Sequence, residues 1–363
     1  MAEQVGLMNA AYTVVQTDLK TGNVVAALPV TGITFAHTLN AAGVATVGIP
    51  LFAPEADPES LIPGISGIAI LRDGQPVWAG ILWALAADIA AGTLSLSASG
   101  FHSHYQGRHF VKGWAAKSQE QSDTIKAWFA YCNGANGIST DTSLIKPTGH
   151  KRTTVWTRYE LKNVAEAIDD LADNVGGFNF RYVPYWAVAG KKLGHRFVMT
   201  SRAGAAATHT LTHRVDCNVT SVSYDSTALC TTAYATGADK GNGEKLVGIF
   251  ENPSLAARMP ERVRVGSYTD VKETVTLRNK AQAVINAGAV PVAIPELTLY
   301  PGQFGPLDFV PGDVTAIDVD AGYIALYDEF VVTECTTTVD TTGGESIKLA
   351  LASKELWSNA NPS

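Results

Sequence analysis

At 363 residues and a net charge of −7, with 46% hydrophobic and only 17% charged side chains, the chain excludes a disordered segment and has the length to bury several cores. Its 33 Gly and 16 Pro, beside abundant Ala, Thr and Val, read as a β-rich protein of roughly two to four domains with many turns. The opening "MAEQVGLMNAAYTVVQ" has no basic stretch followed by an apolar one, and "WALAADIAAG" is short and carries Asp88; a helical membrane protein is excluded, and a chain made in a cytoplasm without a signal peptide is expected.

The first hundred residues read as consecutive strands. "YTVVQTDLKTGNVVAALP" predicts a hairpin turning at Lys20-Thr21-Gly22, and "GITFAHTLNAAGVATVGIPL" a second one turning near Ala41-Ala42-Gly43. "FAPEADPESLIPG" is a Pro-rich loop. In "GIAILRDGQPVWAGIL" an Asp-Gly turn joins two arms, both of them apolar. Ile68, Ile70, Val77, Trp78 and Ile81 exceed what one buried face requires. They are candidate interface residues, with one face in a first core and the other against a neighbouring domain or subunit. "GTLSLSASGFHSHY" alternates strictly from Thr93 to Ser99.

After about residue 105 the pattern changes. "SQEQSDTIKAWFAYCNG" puts Ile125, Trp128, Phe129 and Cys132 on one helical face with Gly134 as a stop. "YELKNVAEAIDDLADNVGG" repeats this with Leu161, Val164, Ala165, Ile168, Leu171 and Ala172. "FNFRYVPYWAV", "GHRFVMTSR" and "THTLTHRV" read as strands. "CNVTSVSYDSTALCTTAYATGAD" then predicts a hairpin turning near Asp225-Ser226, and "SYTDVKETVTLRNKAQAVINAG" a helix ending at Gly288. The rest, from "VPGDVTAIDVDAGYIALYDEF" onward, is strand and turn. Charge follows the same division. Residues 1–100 hold two basic and seven acidic side chains, residues 101–215 fifteen and eight, and residues 301–363 two and ten.

No catalytic constellation rises above background. His102, His104 and His109 lie close together in "HSHYQGRH", and His102 and His104 would share a face of a strand, but no third zinc ligand is identifiable. His209 and His213 lack the Glu of a helical zinc motif. Asp318, Asp320 and Glu329 outline a calcium loop, yet Gly322 and Tyr323 occupy the wrong positions, so an acidic hairpin is expected. "GADKGNGEKL" has no Ser or Thr after Lys245, and Ser66 lacks the spacing of a nucleophile elbow. Cys132, Cys217, Cys230 and Cys335 form no CxxC pair and read as buried free thiols. Trp114, Trp128, Trp156 and Trp186 belong to the middle of the chain, as core or as a sugar platform. No catalytic residue, cofactor or metal site is assigned.

The order of parts resembles the tail-tip or baseplate hub proteins of long-tailed bacteriophages, the gp27-like minor tail proteins of siphophages. "TGITFAHTLNAAGVATVGIPL" followed by "GIAILRDGQPVWAGIL", the midway "VTSVSYDSTALCTTAYATGAD" and the late "VPGDVTAI" carry the likeness. It implies a mainly β fold with α+β insertions, in which two small tube-type β-barrels are joined by peripheral α+β modules. The expected division is a first barrel at 1–105, an α+β insertion at 106–216, a second barrel from 217–240 plus 303–353, a smaller α/β insertion at 241–302, and a tail at 354–363. The resemblance also implies a homotrimer without enzymatic activity, in a virion tail tip. Three chains would continue the tail tube as a pseudo-sixfold ring. Their partners would be the distal tail protein ring, the tape-measure protein and tail fibre or other minor tail proteins. DNA would pass through non-specifically, and the host envelope would be met only indirectly. Asp308, Asp313, Asp318 and Asp320 are candidates for an acidic lining of that duct. A carbohydrate-binding adhesin or a cell-wall hydrolase with a carboxylate pair are the alternatives.

Overall fold

The computed structural model describes residues 10–354 apart from 135, 174–175, 202–205, 228, 242, 270 and 288–291. Seven strands come first: β1 (Tyr12–Asp18), β2 (Val24–Leu28), β3 (Gly32–Thr38), β4 (Val44–Pro50), β5 (Ser66–Arg72), β6 (Gln75–Asp88) and β7 (Thr93–Gly100). They pair antiparallel in the order β2–β1–β5–β6–β7–β4–β3. The three hairpins predicted within them, β1–β2, β3–β4 and β5–β6, are present. Asp73 and Gly74 both take positive φ, 51° and 76°, as the tight turn between twisted strands requires.

The middle of the chain forms α1 (His102–Gln106), β8 (Trp114–Glu120), α2 (Gln121–Cys132), β9 (Lys151–Trp156), α3 (Val164–Asp173), β10 (Phe178–Val188) and β11 (Lys192–Ser201). β8 pairs β9 and β10 pairs β11, both antiparallel. The helical faces of α2 and α3 are buried as their periodicity predicts. The Glu120 carboxylate accepts from the Ser122 N–H at the start of α2 and from the Thr148 and Gly149 N–H groups. One side chain thus caps a helix and pins the loop that leads to β9.

The remainder supplies β12 (His209–Thr212), β13 (Cys217–Asp225), β14 (Thr232–Asp239), β15 (Lys245–Glu251), α4 (Pro253–Ala256), β16 (Val263–Ser267), α5 (Thr274–Ala287), β17 (Val292–Leu299), β18 (Val314–Ala321), β19 (Ile324–Val339) and β20 (Glu345–Ser353). The predicted hairpin over 217–239 does not form. β13 pairs β17, some seventy residues away, while β14 joins β15 and β16 in a separate three-stranded sheet. Arg262 explains the break: its guanidinium donates to the Ser226 and Thr227 carbonyls, and Thr231 Oγ1 bonds its backbone. The turn is thereby stapled to the strand segment that precedes β16. α5 covers this small sheet with Leu277, Ala281 and Ile285.

β17, β20, β19 and β18 continue the main sheet, with β12 parallel to β18. β19 pairs β3 from Val339↔Ile33 to Glu334↔Thr38, which makes one sheet of thirteen strands from the two ends of the chain. Two cores lie within it. Phe35, Val47, Ile49, Ile70, Trp78, Leu82 and Leu96 fill the first, and Phe309, Ile317, Phe330, Val332, Cys335 and Leu349 the second. The Tyr12 hydroxyl (2.5 Å) and Arg72 (3.1 Å) both bond Glu345, which ties β1 and β5 to the start of β20.

The β5–β6 hairpin packs on both faces inside its own chain. Ile68, Ile70, Val77 and Trp78 point into the first core. Ala69, Leu71, Ala79 and Ile81 point the other way, into a core shared with Phe101, Phe129, Ile168, Phe180 and Phe197 of the middle module. All five candidate interface residues are 0–3% exposed, and of the two expected partners for the second face, a neighbouring domain or a subunit, the chain's own α+β module occupies it. Ile70→Ala and Ile81→Ala should each lower stability by about 2–5 kcal/mol in urea unfolding, because each leaves a cavity in a different core. A near-neutral effect at Ile81 would refute the second packing face.

Candidate functional site

The middle module covers only part of the outer sheet surface. Over β6 beyond residue 83, β7, β4, β3, β19 and β20 that surface is open. The ladders place Ala84, Ser97, Thr46, Thr34, Thr338 and Ser346 directly opposite one another in turn, one residue from each of six neighbouring strands. All six side chains are exposed. A parallel row holds Asn218, Thr298, Lys348, Thr336 and Ala36 from β13 to β3. In the first row no member carries a charge. Thr34 and Thr338 lie 3.4 Å apart, oxygen to oxygen, across the β3–β19 seam. The second row carries one charge, Lys348, which stands 3.7 Å from Glu296, and beside it Glu334 accepts from the Thr38 hydroxyl at 3.2 Å. The result is a wide, hydrated, nearly neutral surface of small side chains, with both cores behind it.

The four aspartates do not form one surface. Asp308 accepts from Gly305 N–H (2.7 Å) and Asp313 from Val310 N–H (3.0 Å), each closing a turn of the loop before β18. Asp318 and Asp320 lie on β18, opposite in sense to Ile317 and Val319 of the second core. They sit across from Tyr327 and Ala325 on the acidic β18–β19 hairpin, which turns at Gly322 as expected.

The histidines are dispersed. The "HSHY" run is the helix α1, not a strand end, because Phe101–His104 and the following turn close helical hydrogen bonds. His102 stands between Asp169 (3.0 Å) and the Tyr182 hydroxyl (3.3 Å), while His213 accepts from the Val219 N–H. Among the described residues no group of three His, Cys, Asp or Glu side chains is placed to hold a metal ion. Trp114, Trp128 and Trp156 pack around Phe110 with ring centres 5.0–6.3 Å apart, inside the middle module. As core they are withdrawn from any sugar platform. Trp186 donates to the Gly74 carbonyl and so ties β10 to the Asp-Gly turn. All four cysteines are free and buried.

Sequence reading missed a polar thread in the middle module. Tyr105 and His195 Nε2 both bond Thr140 Oγ1, at 2.5 and 2.7 Å, and the His195 ring stacks on Phe101 at 3.7 Å. Burial and the neighbouring His104 hold the His195 imidazolium down to about 3. Burial and the nearby Arg181 hold His37 down to about 4, and burial and Arg108 lower His104.

No protein-family model and no curated protein matches this sequence. Solved structures do match, over nearly the whole chain. A tail protein from Neisseria meningitidis MC58 aligns at TM-score 0.61 and 16% identity, covering 96% of this chain and 98% of its own. The 43 kDa tail protein of prophage MuSo2 from Shewanella oneidensis aligns at 0.63 and 11%, covering 95% and 99%. Prophage tail protein gp18 from Listeria monocytogenes EGD-e aligns at 0.57 and 12%, covering 93% and 94%. The chain has the fold of phage tail proteins. The likeness to tail proteins read from the order of its segments therefore holds for the architecture, β-rich with α-helical insertions.

The three depressed histidines set a pH dependence. Each has a folded pKa below its ordinary 6.5, so the unfolded chain binds more protons as pH falls below that value. Stability present above pH 6.5 is therefore lost on acidification, by up to about 1.4 kcal/mol per pH unit for each histidine. Urea titrations between pH 7 and about pH 5, above the carboxylate range, should show this slope, and His195→Gln should flatten it. An unchanged slope in the variant would remove His195 from the account.

Proposed function

We propose that this chain is the homotrimeric hub of a phage tail tip, a structural protein without catalysis. The observation that carries the reading is the exposed, uncharged row from Ala84 to Ser346 on a sheet whose other side is filled by two cores. Each chain contributes two curled strand units, so three chains supply six, the number that continues a hexameric tube. With the uncharged row turned inward, the duct presents hydroxyls and methyl groups to DNA. Along this row the wall offers no cation to trap a phosphate, and Lys348 of the neighbouring row stands beside Glu296. Asp318 and Asp320, on the outer side of the β18–β19 hairpin, add negative charge at the margin of the duct and repel the polyanion from the subunit edge. In this reading the distal tail protein ring and the tape-measure protein meet the ring along its axis. Tail fibre or other minor tail proteins attach through the modules outside it, and receptor contact reaches the ring by changing subunit packing.

Native mass spectrometry and electron microscopy of the purified chain, alone and with the tail proteins of the same particle, test the assembly. A three-chain mass and a ring with Thr34, Ser97 and Thr338 facing the lumen are expected. A monomer under all these conditions, or a ring with that row outside, would overturn it. Thr34→Lys with Ser97→Lys, two strands apart in the row, should lower stability by no more than about 1 kcal/mol, since both sites are exposed. In assembled particles the pair should slow DNA release, more so at low salt than at high.

A further inference from the structure

The three modules meet at a cleft of about 220 Å³. β3 contributes His37, the start of β6 Pro76, β10 Arg181 and Pro184, and the loop before β18 Pro306 and Leu307. The walls are apolar, and the proline rings leave little side-chain freedom to lose when a ligand enters. At the polar end two nitrogens lack a hydrogen-bond partner, Arg181 Nε and His37 Nε2. The carboxylate that acts on Arg181 is Asp313, but its Oδ2 is engaged by the Val310 N–H and it makes no ion pair with the guanidinium. Two other cations of the same module are paired, Arg196 with Asp141 at 3.0 Å and Lys162 with Asp170 at 2.7 Å, while Arg108 likewise has an enclosed Nε without a partner. Arg181 Nε and His37 Nε2 are both enclosed, but Arg181 as a whole is only partly buried and makes no ion pair, so its terminal nitrogens are open to an anion that enters the cleft.

We propose that this cleft binds a segment of a partner protein in which an apolar side chain stands beside a carboxylate. The carboxylate takes the free edge of Arg181, where a charge-assisted hydrogen bond forms. The apolar side chain fills the space between Pro76, Pro184 and Pro306. A free inorganic anion would use Arg181 and leave the apolar walls unmatched. The site is independent of which face of the sheet lines a duct.

N-acetyl-leucine carries both features, and N-acetyl-leucinamide lacks only the charge. Calorimetric titration of the whole chain should show the acid binding at least about tenfold more tightly than the amide. Arg181→Met should abolish that preference while keeping or raising Tm, because it removes an unmatched charge and retains the stem. Leu307→Asp, at the half-exposed mouth, should remain folded and also weaken the acid, by offering a competing carboxylate. Equal binding of acid and amide, no binding of the acid, or an unchanged preference in both variants would overturn the proposal.

Discussion

The ladder between β3 and β19 is the interaction on which the rest of the molecule depends. It joins a strand near residue 35 to one near residue 336, and without it the first and last parts of the chain would be two separate curled sheets. β19 can serve both because it is sixteen residues long and is bulged against β20 between Val332 and Glu334. Before the bulge the core-facing residues are even-numbered, Phe330 and Val332. After it they are odd-numbered, Cys335 and then Val339, which belongs to the first core. One extra residue thus shifts the side-chain alternation, and a single strand contributes to two cores, with Thr337 the polar residue it buries on the way. The same shift turns Thr336 and Thr338 outward and brings Thr338 beside Thr34.

A second constraint follows at the β5–β6 hairpin. A sheet with one solvated face needs apolar residues only at alternate positions, whereas a strand covered on both sides reads as a continuous apolar run. The hairpin has the second pattern because the middle module lies on its outer face, through Ile81 and Ala79 against Phe101 and the aromatic core around Phe129 and Phe197. Covering this half of the sheet leaves the other half bare. Position along the sheet therefore decides which outward residues are large and apolar and which are small and hydroxylic.

That division explains what could be read from the sequence. Local signals were legible: Asp73-Gly74, the alternation of β7, and the helical stripes of α2, α3 and α5 are each written within a dozen residues. β8 and β9 were not, because "WAAKSQE" has neither alternation nor a turn beside it, and its partner lies beyond a helix. The false hairpin over 217–239 has the same cause, since alternation fixes that a segment is a strand but not which strand it meets. The uncharged row is the extreme case. Ala84, Ser97, Thr46, Thr34, Thr338 and Ser346 come from distant stretches and look unremarked in each, and only the ladder registers assemble them. Charge is conspicuous in sequence, but the turns that Asp308 and Asp313 close could not be read there.

The charge asymmetry along the chain acquires a spatial sense from the same geometry. The basic residues of the middle module sit on one side of the sheet near β1, β5 and the first part of β6. The uncharged row begins on β6 after the bulge at Leu82/Ala84 and runs away from that module to β20. Several of the cations are matched locally, as in Arg196–Asp141 and Lys162–Asp170, which shortens the reach of their field. At physiological salt unpaired charges are screened over about 8 Å, and strands lie about 4.8 Å apart. The module does reach the end of β3, where Arg181 stands beside His37, but Thr34 lies on the opposite face of that strand from His37. The charges on that surface are few, Lys348 beside Glu296 and Glu334 beside Thr38 among them. A neutral track of this kind follows from where the module docks, and the docking follows from the apolar second face of one hairpin.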